Sequence, residues 1–139
     1  AAAGDKTLID HLKGGENYRT GNWQGYREDL IATINLGKEK EISTISLGCM
    51  QDIKSWIFFP KKVEYFSSVN GEDFTFLGTI NTTFSDTLEG SFIQDYTLRL
   101  KNTKAKYIKV KAKNYGICPD WHLGAGGKTW LFVDELIIK

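Results

Sequence analysis

Between Ala105 and Lys113 the chain places Ile108, Val110 and Ala112 on one side of an extended backbone and Tyr107, Lys109, Lys111 and Lys113 on the other. A strand alternates its side chains with a period of two, whereas a helix would scatter this stripe around its circumference. The segment must therefore be a strand with one dry and one wet face, and the dry face needs a second layer to cover it. The same alternation recurs from Asp29 to Gly37, where Leu30, Ala32, Ile34 and Leu36 oppose Ile31, Thr33 and Asn35, and from Glu41 to Cys49 through Ile45, Leu47 and Cys49. Lys62 to Ser68, Phe74 to Ile80, Asp95 to Lys101 and Thr129 to Ile138 add further strand patterns, and Thr7 to Leu12 reads as a brief strand or helical turn. About eight short strands divided by turn signals predict an all-β fold, an antiparallel β-sandwich. No amphipathic helix, internal repeat or low-complexity linker interrupts the pattern.

The connections hold most of the unusual chemistry. Gly14 to Gly25 is rich in glycine and asparagine and predicts a long ordered loop; Met50 to Pro60 and Asn81 to Gln94 predict two more. Asn70-Gly71 has the residue types of a tight hairpin turn. The last quarter, from Pro119, opens as a loop bearing Trp121 and His122, passes three glycines and runs into the final strand.

A chain of 139 residues is one domain, large enough to bury a core without disulfide staples. Its 18 Lys and Arg against 17 Asp and Glu leave a net charge of +1, so no global field favours nucleic acid or an acidic membrane. The lysines from Lys101 to Lys113 read as the wet face of a strand. No apolar run reaches the length of a membrane-spanning helix. The opening A-A-A-G-D-K carries no signal-peptide pattern, so the chain reads as one trimmed from a longer protein. Cys49 and Cys118 form either one bridge in an oxidising compartment or two free, half-buried thiols.

Catalysis finds little to work with. The only histidines are His11 and His122, there is no G-x-S-x-G elbow, and neither cysteine adjoins a histidine. Asp134 and Glu135 are adjacent in a strand, so strict alternation would send them to opposite faces, unable to flank one glycosidic bond. Binding is the remaining class. Sugars are held by an aromatic face against the apolar side of the ring, with a few polar groups fixing the hydroxyls. The loops supply both kinds of group, and the expected ligand-binding set is Arg27, Asp52, Trp56, Tyr115, Trp121 and His122, with Tyr26 and Glu28 beside it.

Competing roles exist for several of these residues. Trp23 and Trp130 adjoin strand patterns and are expected in the core. Trp56 precedes I-F-F-P and is either an exposed platform or a buried plug, while Trp121 and His122 either touch ligand or close a loop in which His122 bonds to backbone. Apolar spikes from Trp56 to Phe59, rimmed by Lys54, Lys61 and Lys62, are the alternative of a membrane contact.

Taken together, L-I-D at Leu8 to Asp10, W-Q-G-Y at Trp23 to Tyr26, I-N-L-G at Ile34 to Gly37, S-V-N-G-E-D-F at Ser68 to Phe74, A-K-Y-I-K-V at Ala105 to Val110 and W-L-F-V-D-E-L at Trp130 to Leu136 resemble the discoidin family, the coagulation factor five/eight type C domains. The segments N-W-Q-G-Y, Q-D-I-K-S-W-I-F-F-P and P-D-W-H-L-G-A-G-G-K-T-W-L-F-V-D-E-L look like the C-terminal module of bacterial family 20 glycoside hydrolases, the β-N-acetylhexosaminidases or chitobiases. Such modules are similar to family 32 carbohydrate-binding modules. The resemblance implies a discoidin-like jelly roll of about eight strands with binding loops at one end, and a non-catalytic, extracytoplasmic module that carries the catalytic domain of the same polypeptide to a glycan bearing galactose or N-acetylhexosamine. Nucleic acid is not an implied partner; the alternative is a structural or protein- or membrane-interaction module without sugar binding, in which Trp56 and Trp121 form a contact with a neighbouring domain.

The same resemblance implies a structural calcium ion, carried here by Asp10, Thr20, the main chain of Asp134, and Glu135. Calcium takes several oxygen ligands in flexible geometry, which would account for an acidic pair in an apolar strand. A lysine partner or a solvent-facing position would account for it equally on the residues alone. The family's first motif usually ends Asp-Gly, whereas Asp10 is followed by His11.

Overall fold

The computed structural model describes residues 24–139, and these form an all-β fold. The elements are β1 (Gln24–Tyr26), β2 (Leu30–Gln51), a 3-10 turn (Ile53–Ser55), β3 (Lys62–Ser68), β4 (Thr75–Asn81), β5 (Phe92–Ala112) and β6 (Leu131–Ile138). They hydrogen-bond in the order β1-β6-β2-β5-β3-β4, with every neighbouring pair antiparallel.

Two of the six strands are far longer than the sequence pattern suggests. β2 joins the two segments expected on either side of Gly37, and β5 joins the two expected on either side of Asn102. Gly37 has φ +88° and Asn102 φ +49°, so both take the left-handed backbone that usually marks a turn. Here they mark a corner. The β2–β5 ladder shifts register between Asn35 and Lys40 and again between Ile42 and Thr44, and extra residues on both strands bend the pair without breaking it.

That corner creates the sandwich. The first half of β2 and the second half of β5 continue into β3 and β4, whereas the second half of β2 continues into β6 and then β1. The curled sheet thus faces itself. Tyr65 on β3 donates its hydroxyl hydrogen to the carbonyl of Tyr96 on β5 at 2.5 Å, and a methyl group on Gly78 of β4 would meet the Leu98 side chain at 2.9 Å.

Between the layers lies one apolar cluster, with Leu30, Ala32 and Ile34 from one half of β2 and Ile45, Leu47 and Cys49 from the other. The buried positions switch from even to odd numbers between Ile42 and Ile45, across the irregular stretch where the ladder changes register, so the residues on either side of the corner still turn one face inward. Each fully buried Leu or Ile contributes about 1.5–3 kcal/mol of transfer free energy, so alternation carried around a corner holds the layers together.

Lys62–Ser68 runs as the pattern predicts, and the fourth strand is shifted by one residue to Thr75–Asn81. The turn between them is wider than a two-residue hairpin. Asn70 Oδ1 accepts from the amides of Glu72 and Asp73, and Ser68 Oγ accepts from those of Asn70 and Gly71. Side-chain acceptors thus organise the reversal, and only Gly71 of the pair has a positive φ. Gln24 and Gly25, expected in the first loop, instead belong to β1. The expected segment Thr7 to Leu12 lies outside the described residues, as does Trp23.

Cys49 and Cys118 are both free and buried, and they sit in different clusters. Burial pushes the Cys49 thiol well up from its ordinary value, which keeps it protonated and inert.

Candidate functional site

One end of the sandwich is built by the segment after β2 and the loop before β6. Asp52 and Ile57 exchange backbone hydrogen bonds at 2.8 and 3.0 Å, closing a small loop around the 3-10 turn. Trp56 ends that turn with φ +66°, and its amide donates to the carbonyl of Ile53. Left-handed backbone costs a non-glycine residue about 1–3 kcal/mol, so something must hold it there. The carbonyl of Trp56 accepts from the amide of Trp130 at 2.8 Å, and the amide of Phe58 donates to the carbonyl of Trp130 at 3.1 Å. The loop is stitched to the chain entering β6.

The indole of Trp56 lies directly on backbone. A Cβ on Gly124 would stand 2.5 Å from the ring and one on Gly127 would stand 2.7 Å from it. Of the glycines in G-A-G-G, these two are therefore required for close approach, and only Gly126, with φ +86°, is required for its backbone conformation. The ring is fixed on that side and 37% exposed overall.

His122 braces the same loop from inside. Its Nδ1 accepts from the amide of Gly124 at 2.8 Å, which places the ring proton on Nε2, where it donates to the carbonyl of Ile53. Both ring nitrogens are thereby taken by backbone, and the ring edges meet Trp56 and Trp121 at centroid distances of 6.0 and 5.8 Å. Beneath them Ile53, Phe58 and Cys118 form a small second core.

These contacts shape a cleft of about 420 Å³ lined by Ile53, Lys54, Trp56, Glu89, Trp121, His122 and Leu123. Trp121 is 49% exposed and Leu123 is exposed completely. Lys54 and Glu89 pair at 3.6 Å on the rim. An apolar wall with a few charged groups at its edge is suited to a ring that is apolar on one face and hydroxylated around its rim.

The fold brings Trp56, Trp121 and His122 together, and sends the other expected site residues elsewhere. Asp52 accepts a hydrogen bond from the Ser91 hydroxyl at 3.1 Å. Tyr115 stacks on Phe58 with centroids 4.5 Å apart and donates to Asp86 at 2.6 Å. Burial, and then the hydrogen bond to Asp86, push its phenol up to about 12. Arg27 lies over the Trp130 ring at 5.2 Å, in a separate charged cleft that Tyr115 also lines. Trp130 is half-buried and absent from the core cluster, contrary to expectation, because its backbone is engaged by the 52–58 loop and its ring carries Arg27. The expected apolar spike from Trp56 to Phe59 reduces to Trp56 alone, since Ile57, Phe58 and Phe59 are all buried.

Sequence reasoning missed Gly124, Gly127, Leu123 and Glu89 as parts of the aromatic cleft. A glycine needed for packing reads like one needed for a turn, although two extra glycines beside a turn glycine are a usable signal. It also missed Asn114 and Thr129, both buried, which tie the charged cleft together.

Of the expected calcium ligands, Asp10 and Thr20 lie outside the described residues. Asp134 and Glu135 are in β6, where pairing runs from Val133 opposite Cys49 to Leu136 opposite Leu47. Two residues thus oppose Gly48 alone, a β-bulge that puts backbone outside the regular ladder. Among the described residues, no three of His, Cys, Asp and Glu gather as a metal site. The donors implied are all oxygens, which fits calcium and not zinc.

No protein-family model matches the chain, and no curated protein matches it. Solved structures do. The module CBM32-3 from a family 31 glycoside hydrolase of Clostridium perfringens is similar at TM-score 0.57 and 16% identity, covering 99% of this chain and 83% of that one. A pectin-binding carbohydrate-binding module is similar at TM-score 0.54 and 17% identity, over 91% of this chain and 77% of that one. The C-terminal domain of a chitobiase from Bacteroides fragilis is less similar, at TM-score 0.44 and 19% identity, over 84% of this chain and 63% of that one. The described residues therefore have the discoidin-like β-sandwich fold seen in family 32 carbohydrate-binding modules.

Proposed function

We propose that the chain is a non-catalytic carbohydrate-binding module whose ligand stacks on Trp56 and Trp121. The observation that supports this reading is the fixed indole of Trp56, laid on the backbone of Gly124 and Gly127 and flanked by the exposed ring of Trp121 and the edge charges of one cleft. A platform held rigid before binding loses little entropy when a sugar arrives. The neighbouring folds include modules of a glycoside hydrolase and of pectin binding, which fits an accessory role. By the resemblance of its loops, the module would hold a β-N-acetylhexosaminidase or chitobiase outside the cytoplasm near glycans bearing galactose or N-acetylhexosamine. Tethering of this kind raises effective concentration without new chemistry.

Tryptophan fluorescence titrated with N-acetylglucosamine, N-acetylgalactosamine and galactose oligosaccharides tests the reading. Trp121→Ala is expected to weaken binding by about thirtyfold, equivalent to about 2 kcal/mol, while the protein still melts cooperatively. Binding unchanged in both Trp121→Ala and Trp56→Ala would move the sugar elsewhere. The full exposure of Leu123 favours a second reading, an apolar contact with a neighbouring domain or membrane. Co-sedimentation with liposomes, lost in Leu123→Asp while sugar binding persists, would support that alternative.

Calcium is the proposed structural ion, held by Asp10, Thr20, Glu135 and the main chain of Asp134. Dialysis against a chelator is expected to lower the melting temperature, and returning calcium to restore it. A melting temperature indifferent to both would remove the ion from the proposal.

A further inference from the structure

The second cleft at the loop end has a different character. Its volume is about 330 Å³, and its lining includes four cations, Arg27, Lys61, Lys113 and Lys128, against two carboxylates, Glu28 and Asp29. Both carboxylates are already partnered. Lys113 reaches Asp29 at 3.3 Å and Lys128 reaches Glu28 at 3.1 Å, while the amide of Asn114 donates to the other oxygen of Asp29 at 2.9 Å. Among the described residues Arg27 and Lys61 face only aromatic rings, those of Trp130 at 5.2 Å and Tyr115 at 5.9 Å. Among the described residues, two positive charges at one small concavity thus have no acidic partner, in a chain whose net charge is only +1.

The walls are built to keep those charges in place. Asn114 is buried; its Oδ1 accepts from the amide of Gly116 and the hydroxyl of Thr129, both at 2.8 Å, and its Nδ2 reaches the carbonyls of Tyr26, Glu28 and Thr129. One amide thereby joins the turn after β1, the segment after β5 and the entry to β6. Lys61 is set beside Lys113 by a backbone hydrogen bond of 2.8 Å. The planar fork of Arg27, already stacked on Trp130, can present two parallel donors to an anion. Half-buried Tyr115 and exposed Ile117 offer apolar surface beside it.

We infer that this cleft binds the anionic group of an acidic saccharide, the carboxylate of a uronic-acid residue or a sulfate ester, between Arg27 and Lys61. The site is distinct from the aromatic cleft, and its ligand class follows from positive charge that no carboxylate of the described residues pairs, beside a small apolar wall.

Isothermal titration of the whole chain tests it in two arms. One compares a short linear oligouronide with its methyl ester, which removes charge and keeps the sugar; the other compares a sulfated galactan oligosaccharide with its desulfated form. At least one acidic member is expected to bind about tenfold or more tighter than its neutral twin, and the stronger arm identifies the group. Arg27→Ala and Lys61→Ala should each remove that preference, Arg27→Lys should recover part of it, and Trp121→Ala should leave it intact. Melting curves of the variants keep loss of fold separate from loss of the site. Equal binding of charged and neutral partners in both arms overturns the inference, as does an undiminished preference in Arg27→Ala and Lys61→Ala that are folded. A preference abolished by Trp121→Ala alone also overturns it, by assigning the anion to the aromatic cleft.

Discussion

The two clefts at the loop end are formed in opposite ways. The aromatic cleft depends on atoms that are missing, because Trp56 reaches its position only where Gly124 and Gly127 carry no side chain. The charged cleft depends on atoms that are present, since the buried amide of Asn114 bonds to three separate segments. A surface carved by absence is rigid because the packing leaves no alternative, whereas one tied by an amide is rigid because each bond must be kept. The first is vulnerable to a single added carbon and the second to a single lost polar group.

The largest effect should come from Gly124→Ala. Gly124 does not have a positive φ, so the new methyl group acts by collision with the indole and not by straining the backbone. We expect a cost of about 1–3 kcal/mol from overpacking and loss of sugar response at the aromatic cleft, measured by denaturant unfolding and fluorescence titration. Near-parental stability and binding would mean that the indole has room to move, and the contrast between the clefts would fail.

A smaller effect is expected from Asn114→Ala, about 1–2 kcal/mol, from buried partners left without hydrogen bonds. Preference for an acidic saccharide should fall with it, while binding of neutral sugar at Trp56 and Trp121 persists. Loss of both responses together would show that the loop end acts as one unit.

Much of the scaffold was legible in the sequence because alternation reports directly on burial. Leu30, Ala32, Ile34, Ile108, Val110 and Ala112 all face the core as the period of two requires. The joining of four expected strands into two was not legible. Gly37 and Asn102 are residue types that end strands as readily as they bend them, and only pairing across the ladder distinguishes the outcomes.

At the site, a concentration of aromatics in two loops was enough to gather Trp56, Trp121 and His122. It was not enough to separate Arg27 and Tyr115 from them, because which loops share a cleft is decided by long-range bonds such as Trp130 to Trp56. The buried roles of Phe58 and Phe59 were hidden for a related reason. A run of four apolar residues says that burial is needed and does not say which member stays outside.

The cornered pair β2 and β5 also bears on how the chain reaches this state. Leu30 pairs with Ala112 and Gln51 with Phe92, so even the nearest rung joins residues on opposite sides of β3 and β4. Contacts of such sequence separation repay the entropy of closing a long loop only after it has closed, which places the fold among slow ones. During synthesis, all of β2 leaves the ribosome before its main partner exists, and its 22 residues wait with an open edge for the rest of the chain.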